Sequence, residues 1–147
     1  MNLTLKGQVD YWIKLSSESL LDMRAALRSG RRTNALFCGH LAIEKALKAL
    51  CSARYVPSNQ IWGHSLIKLS DIAGLWVGFN TSQQIELATI TSFNIQARYD
   101  DYKRKFKQLC TKQYTEQWAS IIEKWYAEIN NIVAQERASL PNRIPAI

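Results

Sequence analysis

His40 and Glu44 stand one helical turn apart in the run from Ala35 to Cys51. A histidine with a carboxylate at that spacing has the makings of a general-base pair. The same histidine falls on the stripe Leu36, His40, Ile43, Leu47 and Leu50, where a buried ring with hydrogen-bonded nitrogens serves equally well. Glu44 also precedes Lys48 by one turn, the favourable order for a helix-surface ion pair worth about 0.2–0.5 kcal/mol. Cys38 is two residues from His40 and faces elsewhere, so it cannot assist it.

A second chemistry is electrostatic. Between Arg98 and Lys112 six basic residues stand against Asp100 and Asp101, so this segment supplies +4 of a net charge of +7. A guanidinium such as Arg98 at a helix end can hold a phosphate by two parallel hydrogen bonds; its alternative is an internal pair with Glu44, Asp100 or Asp101. Lys103, Arg104, Lys105 and Lys107, interleaved with Tyr99, Tyr102 and Phe106, offer the cations and aromatic faces that suit single-stranded nucleic acid. A solvated loop beside a core-anchoring Phe106 accounts for the same residues. Lys45 and Lys48 are expected to shape the wall of such a groove.

These groups must be positioned by helices, because no stretch sustains strand alternation. A first amphipathic helix through Val9, Trp12, Ile13, Leu20, Met23 and Leu27 ends near Gly30, and a second runs from about 33 to 54. A short third helix spans about 65 to 72, with His64 before it to pin the loop after Pro57 or cap the helix. The fourth opens at Thr81 and Gln84, at capping-box spacing, and reaches about 97. The last, about 112 to 137, has the cleanest stripe: Tyr114, Trp118, Ile121, Ile122, Trp125, Ile129, Ile132 and Val133.

Four long helices and one short one predict an all-α, up-and-down antiparallel bundle in a single domain over 1–147. Its core is expected at about 8–137, with a loose tail at 138–147. Spare apolar surface leaves room for a homodimer, although the spacing of Trp118, Trp125 and Tyr126 predicts burial in the core. No signal-peptide core or run of about 20 apolar residues is present, so a cytoplasmic protein with no membrane contact is expected. Three cysteines without C-x-x-C spacing read as reduced, mostly buried thiols. There is no Gly-rich phosphate loop, paired-carboxylate motif, Ser/His/Asp order or His/Cys cluster, and no metal or cofactor is expected.

Taken in order, four segments resemble the HEPN domain family, helical bundles associated with nucleotidyltransferases. Asp22 to Leu27 resembles the family's first-helix opening. His40-Leu-Ala42-Ile-Glu44-Lys45-Ala-Leu47-Lys48-Ala49 resembles its second-helix pattern. Gly63-His64-Ser-Leu66 resembles its Thr-His-x-Leu signature, and Ala97-Arg98-Tyr99 its Ala-Arg-Tyr helix end. The resemblance spans about 8–136 and implies a module that contacts nucleotide or nucleic acid, or a nucleotidyltransferase partner. Two departures stand out. Asp100 replaces a frequent proline, and no histidine follows Arg98 at the spacing used by the family's ribonuclease branch.

The expected activity is therefore binding through a basic interhelical groove. A toxin-like, metal-independent ribonuclease, with Arg98 stabilising charge and His40 of either subunit as base, is the enzymatic alternative. A purely structural interaction bundle is the third.

Overall fold

The computed structural model describes residues 4–141, and among these every regular element is helical. The order is α1 (Leu5–Arg28), α2 (Arg32–Ala53), α3 (Leu66–Ile72), α4 (Thr81–Arg98), α5 (Asp100–Leu109) and α6 (Lys112–Ala138), with two single 3-10 turns in the loops. The all-α bundle with four long helices is as expected. Two shorter helices accompany them, not one.

Helix α2 is the central rod. It packs against α1, α3, α4, α5 and α6, so residues on all its sides are buried, and its low amphipathicity follows from that position. Its small residues Ala35, Gly39, Ala42, Ala46, Ala49 and Ala53 recur at three- and four-residue steps and let neighbours approach closely. A Cβ added at Gly39 would lie 2.6 Å from Ile122 Cδ1 and 2.9 Å from Met23 Sδ. Ser16 Oγ on α1 donates to the Ala42 carbonyl at 2.7 Å across the same contact.

The turn between α1 and α2 is a Schellman closure. Gly30 sits at φ +73°, Arg31 N–H bonds to the Ala26 carbonyl and Gly30 N–H to that of Leu27. Helix α2 ends the same way four residues before Pro57, with Val56 N–H on the Cys51 carbonyl; Tyr55 occupies the left-handed position at φ 64°. Helix α4 is opened by a capping box of Asn80 and Gln83, one residue earlier than the Thr81/Gln84 pair the sequence suggested.

The segment after Arg98 corrects a second expectation. In place of a basic loop, the chain breaks at Tyr99 (φ −94°, ψ 131°) and starts α5 with Asp100 and Asp101 in the first turn, where acidic charge favours a helix start. Helix α6 carries the aromatic stripe inward: Trp125 is buried, while Trp118 and Tyr126 pack against the core half-buried. Phe93, on α4, meets Trp118 edge-on and Phe106 of α5 at a tilt. Leu140 is buried in the core, and 142–147 of the expected loose tail lie outside the described residues. No helix among the described residues is long and apolar enough to cross a membrane.

Candidate functional site

Because α2 is surrounded, Glu44 is not on a surface. Its carboxylate is buried and accepts two hydrogen bonds, from Lys48 Nζ to Oε2 at 3.1 Å and from His64 Nδ1 to Oε1 at 2.8 Å. Lys48 is itself buried and lies over the Trp12 ring, 5.2 Å from its centroid. The expected surface pair is thus a buried one, completed by a histidine twenty residues away.

His40 is fully buried and sits behind this pair. Its Nε2 lies 2.9 Å from the His64 carbonyl, and a carbonyl can only accept, so Nε2 carries the proton. Nδ1 is then a bare acceptor with no donor, 3.9 Å from Glu44 Oε1. Burial lowers the His40 pKa most. The bond to the His64 carbonyl and the Glu44 charge oppose this, while His64 and Arg98 reinforce it. His40 is a neutral core donor that holds the loop, and a ring with no exposed nitrogen cannot serve as a base. The structure thus gives His40 the buried place that its position on the apolar stripe suggested, and gives no support to the general-base alternative.

His64 has the opposite environment. Gly63, at φ +87°, turns the chain so that the His64 carbonyl meets His40, and Ser65 then caps α3 by accepting from Lys68 N–H. The His64 side chain is 51% exposed. With Nδ1–H donated to Glu44, the lone pair of the neutral ring lies on Nε2. A carboxylate that fixes the tautomer and orientation of an imidazole is the arrangement that makes histidine an efficient base. The sequence offers His64 as a pin for the loop or a cap for the helix; its backbone carbonyl does the first, and Ser65 supplies the cap. The pairing of its ring with Glu44 was missed, because nothing in local spacing joins residues 44 and 64. The only available signal was that a helix-interior Glu and a loop His occur in adjacent recognisable segments.

Arg98 ends α4 exposed. Its Nε donates to the Asn94 carbonyl at 3.3 Å, and its guanidinium lies 5.6 Å from the Tyr99 ring centroid. It pairs with none of Glu44, Asp100 or Asp101, and its charge adds the smallest of the contributions that lower the His40 pKa. From Arg98 onward the charge continues along α5, where Tyr102, Lys103, Arg104, Lys105 and Lys107 are exposed and Phe106 is buried. Lys103 has one weak partner, Asp100 at 3.6 Å on the exposed surface.

Lys45 and Lys48 do not join this face. Lys45 Nζ donates to Ser19 of α1 at 3.2 Å and Lys48 is consumed by Glu44 and Trp12. Among the described residues no cluster of three or more His, Cys, Asp or Glu is placed to hold a metal ion. The three cysteines are free. Burial raises the Cys38 thiol and pushes those of Cys51 and Cys110 up to about 11.

Fold and site together define a basic helical bundle that presents a carboxylate-held histidine, an exposed arginine at a helix end and a cationic helix beyond it. The family model for the HEPN domain matches residues 9–132, and the chain belongs to that family. No curated protein and no solved structure matches it significantly.

Proposed function

We propose that this HEPN domain binds single-stranded nucleic acid, or a nucleotide, on the exposed face of α5 with Arg98 at its near end. One observation carries this reading. Helix α5 is held to the bundle through one buried side chain, Phe106, and turns four cations and Tyr102 to solvent, with Tyr99 exposed just before it. Phosphates would take the cations and bases would stack on the aromatic faces. Reversing the charges of Lys103, Arg104, Lys105 and Lys107 should abolish retention of labelled single-stranded RNA at low salt. Unchanged retention would defeat the reading. A homodimer and a nucleotidyltransferase partner belong to the same proposal through the family likeness, and light scattering and co-purification read them out.

A second reading is favoured by the Glu44–His64 pair. In metal-independent RNA cleavage, His64 Nε2 takes the proton of a 2′-hydroxyl, the 2′-oxygen bonds to the adjacent phosphorus, and the bond to the 5′-oxygen breaks. The departing oxygen recovers a proton, giving a 2′,3′-cyclic phosphate and a 5′-hydroxyl. Arg98 would stabilise the charge on the phosphorane. This replaces the missing downstream histidine by one from the α2–α3 loop. Cleavage without metal that is lost in His64→Ala and Arg98→Ala supports it; intact RNA with wild-type protein refutes it.

A further inference from the structure

A cleft separate from the His64 neighbourhood lies between the α1–α2 turn and the C-terminal end of α5. It is half-open, of about 540 Å³, and lined by Gly30, Arg31, Arg32, Thr33, Asn34, Lys107 and Cys110. We propose that it is an anion site that takes a phosphate group.

Three cations converge there from segments far apart in the chain, and no acidic residue lines the cleft. The other arginines that reach across this bundle are all matched: Arg24 with Glu123, Arg54 with Glu136, Arg137 with Asp10. Arg31, Arg32 and Lys107 are exposed and have no such partner among the described residues. The floor adds no counter-charge. Burial pushes the Cys110 thiol up to about 11 against the hydrogen bond with Thr115 and the charge of Arg32, so it stays neutral at physiological pH. Thr33 and Asn34 complete the lining as uncharged polar residues. A tetrahedral anion with one or two charges would supply what the cleft lacks: acceptors for two guanidinium forks and an ammonium. The volume lies within the range that accommodates a small ligand such as a mononucleotide, roughly 300–1,000 Å³.

The site stands without the α5 reading and shares only Lys107 with it. If both hold, a strand bound along α5 runs past Lys107 into a pocket that anchors one of its phosphates.

The test is amide NMR titration of the full chain with inorganic phosphate, AMP and adenosine at fixed ionic strength. Wild-type protein, Arg31→Ala/Arg32→Ala and Lys103→Ala/Arg104→Ala/Lys105→Ala are compared. Phosphate and AMP should shift the Thr33 and Asn34 signals while adenosine leaves them unmoved. The arginine variant should bind at least about tenfold more weakly, since hydrogen bonds to charged groups are lost. The triple variant should still show the phosphate- and AMP-induced shifts at Thr33 and Asn34, whatever happens to shifts along α5. Because Arg31 and Arg32 are exposed, the variant keeps its fold, which the dispersion of its spectrum verifies directly. Equal affinity of the arginine variant, equal shifts by adenosine, or shifts confined to 103–105 would each overturn the site. Failure of the α5 reading reads differently: RNA is not retained by the wild type, while the AMP titration still reports the cleft.

Discussion

Glu44→Gln is the most informative single substitution, because the carboxylate serves two cationic or protonated partners inside the bundle. Glu44 and Lys48 are 3% and 7% exposed, and their contact is 3.1 Å. Removing one member of a buried pair typically costs about 3–5 kcal/mol, since the other charge stays buried without its partner. The glutamine carbonyl still accepts from Lys48, and the Trp12 face 5.2 Å away already shields the ammonium. The lower end, about 3 kcal/mol, is therefore expected from a total in the range of about 5–15 kcal/mol. At this chain length that lowers the melting midpoint by roughly 6–12 °C. Urea titration followed by far-UV circular dichroism measures it. The double variant Glu44→Gln/Lys48→Met, with no charge left behind, should recover most of the loss and end within about 1 kcal/mol of wild type. A Glu44→Gln cost below about 1 kcal/mol, or a double variant no more stable than the single one, would refute the buried-pair account.

The histidine assignments are open to ¹⁵N NMR: His40 should carry its proton on Nε2 and His64 on Nδ1, and identical tautomers would contradict the geometry. Above the unfolded-state pKa of 6.5 His40 is neutral in both states and contributes no pH dependence. As pH falls below it the unfolded chain takes a proton that the buried ring refuses, so stability drops by up to about 1.4 kcal/mol per pH unit until the lowered native pKa is reached. His40→Gln, whose amide can still donate to the His64 carbonyl, should flatten that limb of the urea-derived stability profile. Tyr55→Gly should raise stability by about 0.5–1 kcal/mol in denaturant titration, because a left-handed position is relieved and the side chain is exposed. Gly39→Val should lower it by about 2 kcal/mol or more, as the added carbons meet Ile122 and Met23. In a thiol titration at pH 8 the native protein should expose at most Cys38, with Cys51 and Cys110 reacting only after denaturation.

Much of the fold was legible because helix period and termination are local. The stripe on α6 and the positions of α1, α2 and α4 follow from residues three and four apart, and the structure moves their ends by one or a few residues. Helix α5 was missed for a physical reason. Its side chains Lys103, Arg104, Lys105 and Lys107 read as solvated loop when Phe106 is the sole anchor; its helicity rests on the acidic first turn and on Phe106 docking against Phe93, a contact no window of sequence contains. The same limit governed charge. Lys45 and Lys48 carried the signature of ligand-facing cations, and only the placement of α1 beside them, with Ser19 and Trp12, turned them inward.

The pattern His40-x-x-x-Glu44 admits two readings in sequence, an acid–base pair and a buried ring on the core stripe, and the structure places His40 in the core. Taken alone on a helix it resembles an acid–base pair. Inside the bundle its two members divide the work of fixing one loop: His40 grips the backbone of His64 through Nε2, and Glu44 grips its ring through Oε1. A residue held by both backbone and side chain has little freedom left in position or tautomer, and that restriction is what a proton-transferring group requires. The two helical residues thus fix a third, and it is the His64 ring, not that of His40, that is half-exposed. Loss of ordering should separate the roles. His40→Gln should leave the Glu44 bond to His64 in place, while Glu44→Gln should free the ring without releasing the loop. If both variants released the loop alike, seen as equal line broadening of the Gly63 and His64 amides, the division of labour would be wrong.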